Sequence, residues 1–420
     1  MASLLFDRRL MPQPLPAHLA SALLLWLSSR AGLRSLASGS PGLNAPQQSR
    51  ATAASSRRLA ELAGELARLG PEVVAAALER EIGRRAAAFV AGLDAYRRHP
   101  FHRPATRAKV IWRQGAVRLL DYASEHPGRA AQPAVLLVPS LINRYTILDL
   151  LPERSFVRHL AHRGLRPLVL DWGEPGTGEY GFALDDYITG PLAGAAAAAV
   201  ELTGGSVALV GYCMGGLLAL AHVVRRPERI KCLALLATPW DFHAERREQA
   251  QLLALLLEWL TGFGGPGEPV PVAVIQSLFM ALDPFLAERK FIRFAGFDMN
   301  GEAARGFVAL EDWINDGVPL ARRVALDCAR LWYRANDPGR GAWRVAGERV
   351  QPGDIAVPSL VVLPSRDRIV PPRAAEPLAN AIPGATVLRP QFGHIGMMAS
   401  AQAPEAVWRP IADWLRATLA

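Results

Sequence analysis

SVALVGYCMGGLLALAHVV, residues 206–224, joins two patterns at one cysteine. Ser206 to Gly211 is a short apolar run of the kind that forms a buried strand, and Met214 to Val224 is a mostly apolar run that reads as a helix. Between them stands Gly211-Tyr212-Cys213-Met214-Gly215-Gly216, a G-x-S-x-G nucleophile turn with cysteine in the serine position. The glycines have a physical task, because a side chain at Gly211 or Gly215 would meet neighbouring backbone in so sharp a strand-to-helix turn. The turn lifts Cys213 above the sheet edge and sets it at a helix N-terminus, whose field favours a thiolate. A buried cysteine in an ordinary turn is the plainer alternative. The order strand, turn, helix favours the nucleophile.

Working outward, strands and helices alternate. Val110 to Tyr122 reads as an opening hairpin, Ala134 to Val138 and Pro167 to Asp171 as buried strands, Glu153 to Arg163 as a helix and Leu184 to Leu202 as an alanine-rich helix. After the cysteine come a strand at Ile230 to Leu236, a mainly helical stretch, then a strand at Ser359 to Leu363, a helix at Arg373 to Ala381, a strand at Thr386 to Arg389 and a closing helix at Pro404 to Leu419. Such alternation predicts an α/β fold with a mostly parallel, doubly wound sheet covered on both faces. Four segments are expected: an N-terminal helical region at 1–100, a first part of the core at 101–240, a helical lid insertion at 241–345 and a second part of the core at 346–420. Within the first, Ser38 to Ser49 reads as a linker, and Ala51 to Arg98 as a helical pair broken at Pro71 that packs on the main domain or on a partner.

A nucleophile on this scaffold needs an acid and a histidine later in the chain, at the carboxyl ends of strands. Asp367 follows Leu360-Val361-Val362-Leu363, and His394 follows the final strand in Phe392-Gly393-His394-Ile395. His394 is expected to take the Cys213 proton. Asp367 is expected to orient the imidazole or to act on an incoming hydroxyl. Asp171, at the end of an earlier strand, is the alternative acid. His102, His126, His159, His162, His222 and His243 read by default as solvated surface groups. An oxyanion is expected to meet the N–H of Met214 and a second N–H, from Leu141 or Ile142, in the loop after the first long strand. Cys232 and Cys328 read as core thiols.

Composition narrows the function classes. Half of the 420 residues are hydrophobic and 20% are charged, enough for a large core. The formal net charge is +9, and the positive charge is almost all arginine, since lysine occurs only at Lys109, Lys231 and Lys290. The arginines are scattered, with no zinc-finger, RNA-binding or basic heptad pattern, so nucleic acid is not an expected partner. A polyanionic small substrate such as coenzyme A agrees with the charge. Three cysteines at irregular spacing imply neither disulfides nor a metal site, and no metal or organic cofactor is expected. The apolar stretch Leu19 to Leu27 reads as a docking or interfacial helix rather than an export signal, and is too short to span a bilayer. A cytoplasmic location is expected.

These residues together resemble the polyhydroxyalkanoate (poly-3-hydroxybutyrate) synthases, which have the α/β-hydrolase fold. Gly211 to Gly216 match that family's G-x-C-x-G-G box, and Val138-Pro139-Ser140-Leu141-Ile142-Asn143-Arg144-Tyr145-Thr146-Ile147-Leu148-Asp149-Leu150 follows its V-P-P-x-I-N-x-Y-x-I-L-D-L stretch. Further likeness lies in Ser155-Phe156-Val157-Arg158, Asp171-Trp172-Gly173, Leu184-Asp185-Asp186-Tyr187-Ile188, Thr238-Pro239-Trp240-Asp241-Phe242 and Gly393-His394-Ile395. The likeness covers about residues 100–420. Departures include Ser140 for a proline, Arg368 for a histidine and Pro372 for a tryptophan.

The resemblance implies an acyltransferase. Cys213 would take a 3-hydroxyacyl group from coenzyme A as a thioester and pass it to a hydroxyl acceptor, extending a polyester. It implies a homodimer, attachment to polymer granules and, as for short members, a second synthase subunit. Two other readings stand beside it: an α/β-hydrolase acting as thioesterase or polyester depolymerase, and a non-catalytic granule-associated homologue.

Overall fold

The apolar runs hydrogen-bond into one eight-stranded sheet in a computed structural model that describes residues 9, 11–37, 50–125, 131–262, 265 and 267–420. The strands are β1 (Lys109–Gln114), β2 (Val117–Asp121), β3 (Ala134–Val138), β4 (Arg166–Asp171), β5 (Val207–Tyr212), β6 (Ile230–Leu236), β7 (Ser359–Val362) and β8 (Thr386–Leu388). Their order across the sheet is β1-β2-β4-β3-β5-β6-β7-β8. β2 runs antiparallel to β1 and β4, and every pair from β4 to β8 is parallel. The expected α/β-hydrolase architecture is therefore present. β5, the cysteine strand, lies in the interior of the sheet between β3 and β6.

Both faces of the sheet are covered, and the side-chain period of two divides each strand between them. Leu136, Leu209, Leu235 and Val361 enter one core, with Leu217 and Leu220 of the helix Met214–Arg225. Val135, Leu137, Val210, Ala234 and Leu360 enter the other, with Ile411 and Leu415 of the closing helix Arg409–Leu419. Each fully buried leucine contributes about 2 kcal/mol of transfer free energy.

Some elements differ from the sequence reading. The helix expected from Glu153 begins at Phe156, because Arg154–Ser155 pairs with Asp149–Leu151 as a short antiparallel ribbon. Ser155 then caps the helix, its Oγ accepting from the Arg158 N–H at 3.0 Å. The alanine-rich helix carries a π-turn at Ile188–Leu192, where Pro191 has no N–H to give. The linker Ser38 to Ser49 and His126 lie outside the described residues.

The chain divides into two compact units. One comprises residues up to Pro100 with Phe279–Val308, and the other comprises Phe101–Leu278 with Ala309–Ala420. Part of the expected insertion thus belongs with the N-terminal helices. In that first unit, Gly92 allows close approach to residue 291, since a Cβ there would lie 2.0 Å from the Phe291 carbonyl oxygen. Arg85 holds the buried Glu288 through two hydrogen bonds of 2.9 and 2.8 Å. The apolar stretch Leu19 to Leu27 falls in the helix Leu15–Ala37, with Leu23 and Leu24 exposed. Among the described residues no helix is long and apolar enough to cross a membrane.

In the second unit, the helix Arg247–Thr261 packs on the segment Cys328–Arg334, and Glu258 pairs with Arg330 at 3.2 Å and Arg334 at 2.8 Å.

Candidate active site

Cys213 stands between β5 and the helix Met214–Arg225 with φ 56° and ψ −126°, a conformation costly for a residue with a Cβ. Close packing maintains it. The Cys213 N–H donates to the Leu236 carbonyl of β6 at 2.8 Å, and its carbonyl accepts from Gly216 at 2.9 Å. The glycines do what the sequence required of them. A Cβ on Gly211 would lie 2.4 Å from the Gly216 Cα, and one on Gly215 would lie 2.1 Å from the Val138 carbonyl oxygen. Gly216 is equally constrained, with the Thr238 Oγ1 1.8 Å from where its Cβ would be. The cysteine is partly exposed, whereas Cys232 and Cys328 are buried. Burial pushes the Cys232 thiol up to about 12 and raises that of Cys328 as well, so neither is a ready nucleophile.

The structure brings Asp367 and His394 together. His394 Nδ1 donates to Asp367 Oδ2 at 2.7 Å, and both side chains are buried. The other carboxylate oxygen, Oδ1, accepts the N–H groups of Ile369 and Val370, each at 2.8 Å. The two loops are joined by backbone bonds, Ser365 N–H to the Pro390 carbonyl and Arg366 N–H to that of Phe392, both at 2.9 Å. The Cys213 side chain is close enough to the imidazole to act on its charge. Burial works most strongly against the imidazole's charged form. The Cys213 side chain beside it and the hydrogen bond with Asp367 outweigh burial and push His394 up to about 10. Histidine and aspartate thus form a hydrogen-bonded pair beside the cysteine.

Tyr212 was not singled out by sequence. It precedes the nucleophile, its hydroxyl donates to the His394 carbonyl at 3.1 Å, and its ring lies 5.2 Å from the imidazole. Its only sequence signal is adjacency to Cys213. Tyr333, from the helical insertion, is a second such residue. Burial raises its hydroxyl pKa, and the charges of Cys328 and Cys213 add to the shift.

The competing groups are engaged elsewhere. Asp171 accepts from Arg118 Nε at 3.1 Å and from the Gly173 N–H at 3.0 Å. His222 is buried rather than solvated, and burial, with Arg225 beside it, pulls its pKa down to about 4. His243 hydrogen-bonds the Tyr333 carbonyl at 2.9 Å, and His159 packs against Trp408.

The loop after β3 approaches the turn from the other side, as the contacts of Gly215 with the Val138 and Pro139 carbonyls show. Within it the Ile142 N–H donates to Ser140 Oγ at 3.1 Å. The Leu141 N–H has no acceptor among the described residues. Met214 opens its helix, so its N–H has no intrahelical partner. Further along, Asp149 accepts from the Tyr122 hydroxyl at 2.9 Å and Arg158 Nε at 3.1 Å, which gives the Pro139-to-Leu150 stretch a structural purpose.

Comparison with known proteins shows what the chain is similar to. A family model described as "alpha/beta hydrolase fold" matches residues 133–401, and one described as "Poly-beta-hydroxybutyrate polymerase (PhaC) N-terminus" matches residues 103–160. The chain is 28% identical over 320 residues to a poly(3-hydroxyalkanoate) polymerase subunit PhaC of Haloferax mediterranei, covering 74% of this chain and 63% of that protein. It is 28% identical over 310 residues to the protein of that name from Allochromatium vinosum, covering 71% of this chain and 85% of that one. Among solved structures, a thermophilic esterase from Thermogutta terrifontis superposes with a TM-score of 0.49 at 21% identity, over 75% of this chain and all of that one. The chain belongs to the α/β-hydrolase fold family and is similar to the poly(3-hydroxyalkanoate) polymerases, as its sequence implied.

Proposed function

We infer that this protein is an acyltransferase of the polyhydroxyalkanoate synthase type, acting on 3-hydroxyacyl-coenzyme A. The observation that carries the reading is the His394–Asp367 pair, hydrogen-bonded at 2.7 Å, beside Cys213 of the nucleophile turn in a chain similar to those polymerases. The Cys213 thiolate attacks the acyl carbonyl, the bond to the coenzyme A sulfur breaks, and the departing thiolate takes a proton from the His394 imidazolium. His394 then takes the proton of an incoming hydroxyl as its oxygen attacks the Cys213 thioester. The thiolate leaves and an ester remains. Both thioesters are close in energy, so the acyl group stays available for transfer.

Asp367 orients His394 in this scheme and does not meet the hydroxyl itself. One of its oxygens is held by two backbone N–H groups and the other faces Nδ1. The oxyanion of each tetrahedral intermediate is assigned to the N–H groups of Met214 and Leu141. Ile142 is the weaker candidate because Ser140 already accepts its N–H. No cofactor enters this chemistry. A second copy of the chain, a second synthase subunit and a polyester granule are the partners we propose, in the cytoplasm. The Allochromatium relative is itself described as a subunit.

Product analysis with 3-hydroxybutyryl-coenzyme A tests the reading. Thiol release with ester oligomers supports it. Release with free hydroxy acid alone makes the protein a thioesterase, and absence of any release under these conditions counts against acyl transfer from this substrate.

A further inference from the structure

The loop that carries the assigned oxyanion donor is held by the helical insertion as well as by its own strand. At its start, the Pro139 carbonyl accepts from Trp172 Nε1 at 2.9 Å. At its end, three contacts come from the segment Trp313–Gly317. Trp313 Nε1 donates to the Arg144 carbonyl at 2.9 Å, Arg144 Nε meets Asp316 Oδ1 at 2.8 Å, and Asn143 pairs with Gly317 as an antiparallel bridge. The clamp is itself anchored, since Gln276 Nε2 donates to the Ile314 carbonyl at 2.8 Å. Gly317 is closely packed, because a Cβ there would lie 2.7 Å from Val272 Cγ1 and would force that side chain to shift.

We propose that Arg144, Asp316 and Trp313 are positioning residues that fix the Leu141 N–H for the developing oxyanion, coupling the insertion to the reaction. The inference rests on the acyltransfer reading above. Stability is a poor explanation for the ion pair. Arg144 and Asp316 keep 31% and 49% of their side-chain surface in solvent, where such pairs contribute little. What the pair does supply is direction, because Asn143 and Arg144 lie only two and three residues beyond Leu141. Displacing a donor by a fraction of an ångström weakens a bond made only in the transition state.

Arg144→Gln, Asp316→Asn, their double variant and Trp313→Phe test this, assayed for thiol release from 3-hydroxybutyryl-coenzyme A and for alkylation of Cys213 by iodoacetamide. Alkylation forms no oxyanion, so it reports the nucleophile alone. The expected result is a fall in kcat of about tenfold in each single variant. The double variant should fall no further than the worse single one; KM and alkylation rate should be unchanged throughout, and the melting temperature unchanged in the Arg144 and Asp316 variants and lowered in Trp313→Phe by the loss of one buried hydrogen bond. Wild-type kcat in all variants would overturn the inference, as would a fall in alkylation rate and melting temperature in step with kcat. A wild-type protein that alkylates at Cys213 yet releases no thiol would overturn the acyltransfer reading, and the positioning role with it.

Discussion

Asp367 presents one oxygen to His394 Nδ1 at 2.7 Å while two backbone N–H groups hold the other. In the mechanism proposed above, a carboxylate fixed in this way serves to hold the imidazole in place. Asp367→Asn keeps the shape and removes the charge. Its kcat for thiol release should fall by about 10²- to 10⁴-fold while the melting temperature changes little. An unimpaired variant would remove Asp367 from the mechanism.

The raised pKa of His394 also fixes the sign of a pH effect. Its folded value of about 10 lies above the ordinary 6.5, so the stability it contributes is complete below pH 6.5 and is lost as the pH climbs through 10. The difference in unfolding free energy between wild type and His394→Gln, measured by denaturant titration, should therefore be largest near pH 6 and shrink toward pH 10. A difference that grows with pH would mean that His394 is neutral in the folded protein.

The turn at Cys213 tolerates no Cβ at Gly215, which faces the Val138 and Pro139 carbonyls at 2.1 and 2.4 Å. Gly215→Ala should cost about 3 kcal/mol and abolish Cys213 alkylation. Gly83, in the helix Pro71–Arg98, has open space around its Cβ position. Gly83→Ala should be neutral or stabilise by up to about 1 kcal/mol. Thermal melts of the two proteins check both statements.

Tyr212 donates to the His394 carbonyl across the site. Tyr212→Phe loses one hydrogen bond and keeps the ring, so stability should drop by about 1 kcal/mol and kcat by less than in Asp367→Asn. Parallel denaturation and rate measurements on the two variants check the ranking.

The sequence was most informative where local chemistry is uncompromising. The turn at Cys213 needs glycines at 211 and 215 whatever surrounds it, and the strands β3, β5 and β7 are apolar because both faces are buried. Asp367 and His394 could be found because they follow apolar runs in a fixed order. What stayed hidden depends on contacts between distant segments. Tyr212 has no pattern of its own, and its partner is 182 residues away. His222 looked solvated on its helix, yet it is buried against residues no local pattern names. Nor did spacing foretell that Trp313 would reach the Arg144 carbonyl, 169 residues earlier, or that residues 279–308 would group with the N-terminal helices.

The central claim is that the acyl group passes through Cys213. Mixing the protein with 3-hydroxybutyryl-coenzyme A, quenching in acid and weighing the peptide that contains Cys213 tests it directly. The account predicts a hydroxybutyryl mass on that peptide as thiol appears, with both signals absent from Cys213→Ala. Thiol release that persists in Cys213→Ala, with no acyl mass on the wild-type peptide, would contradict it.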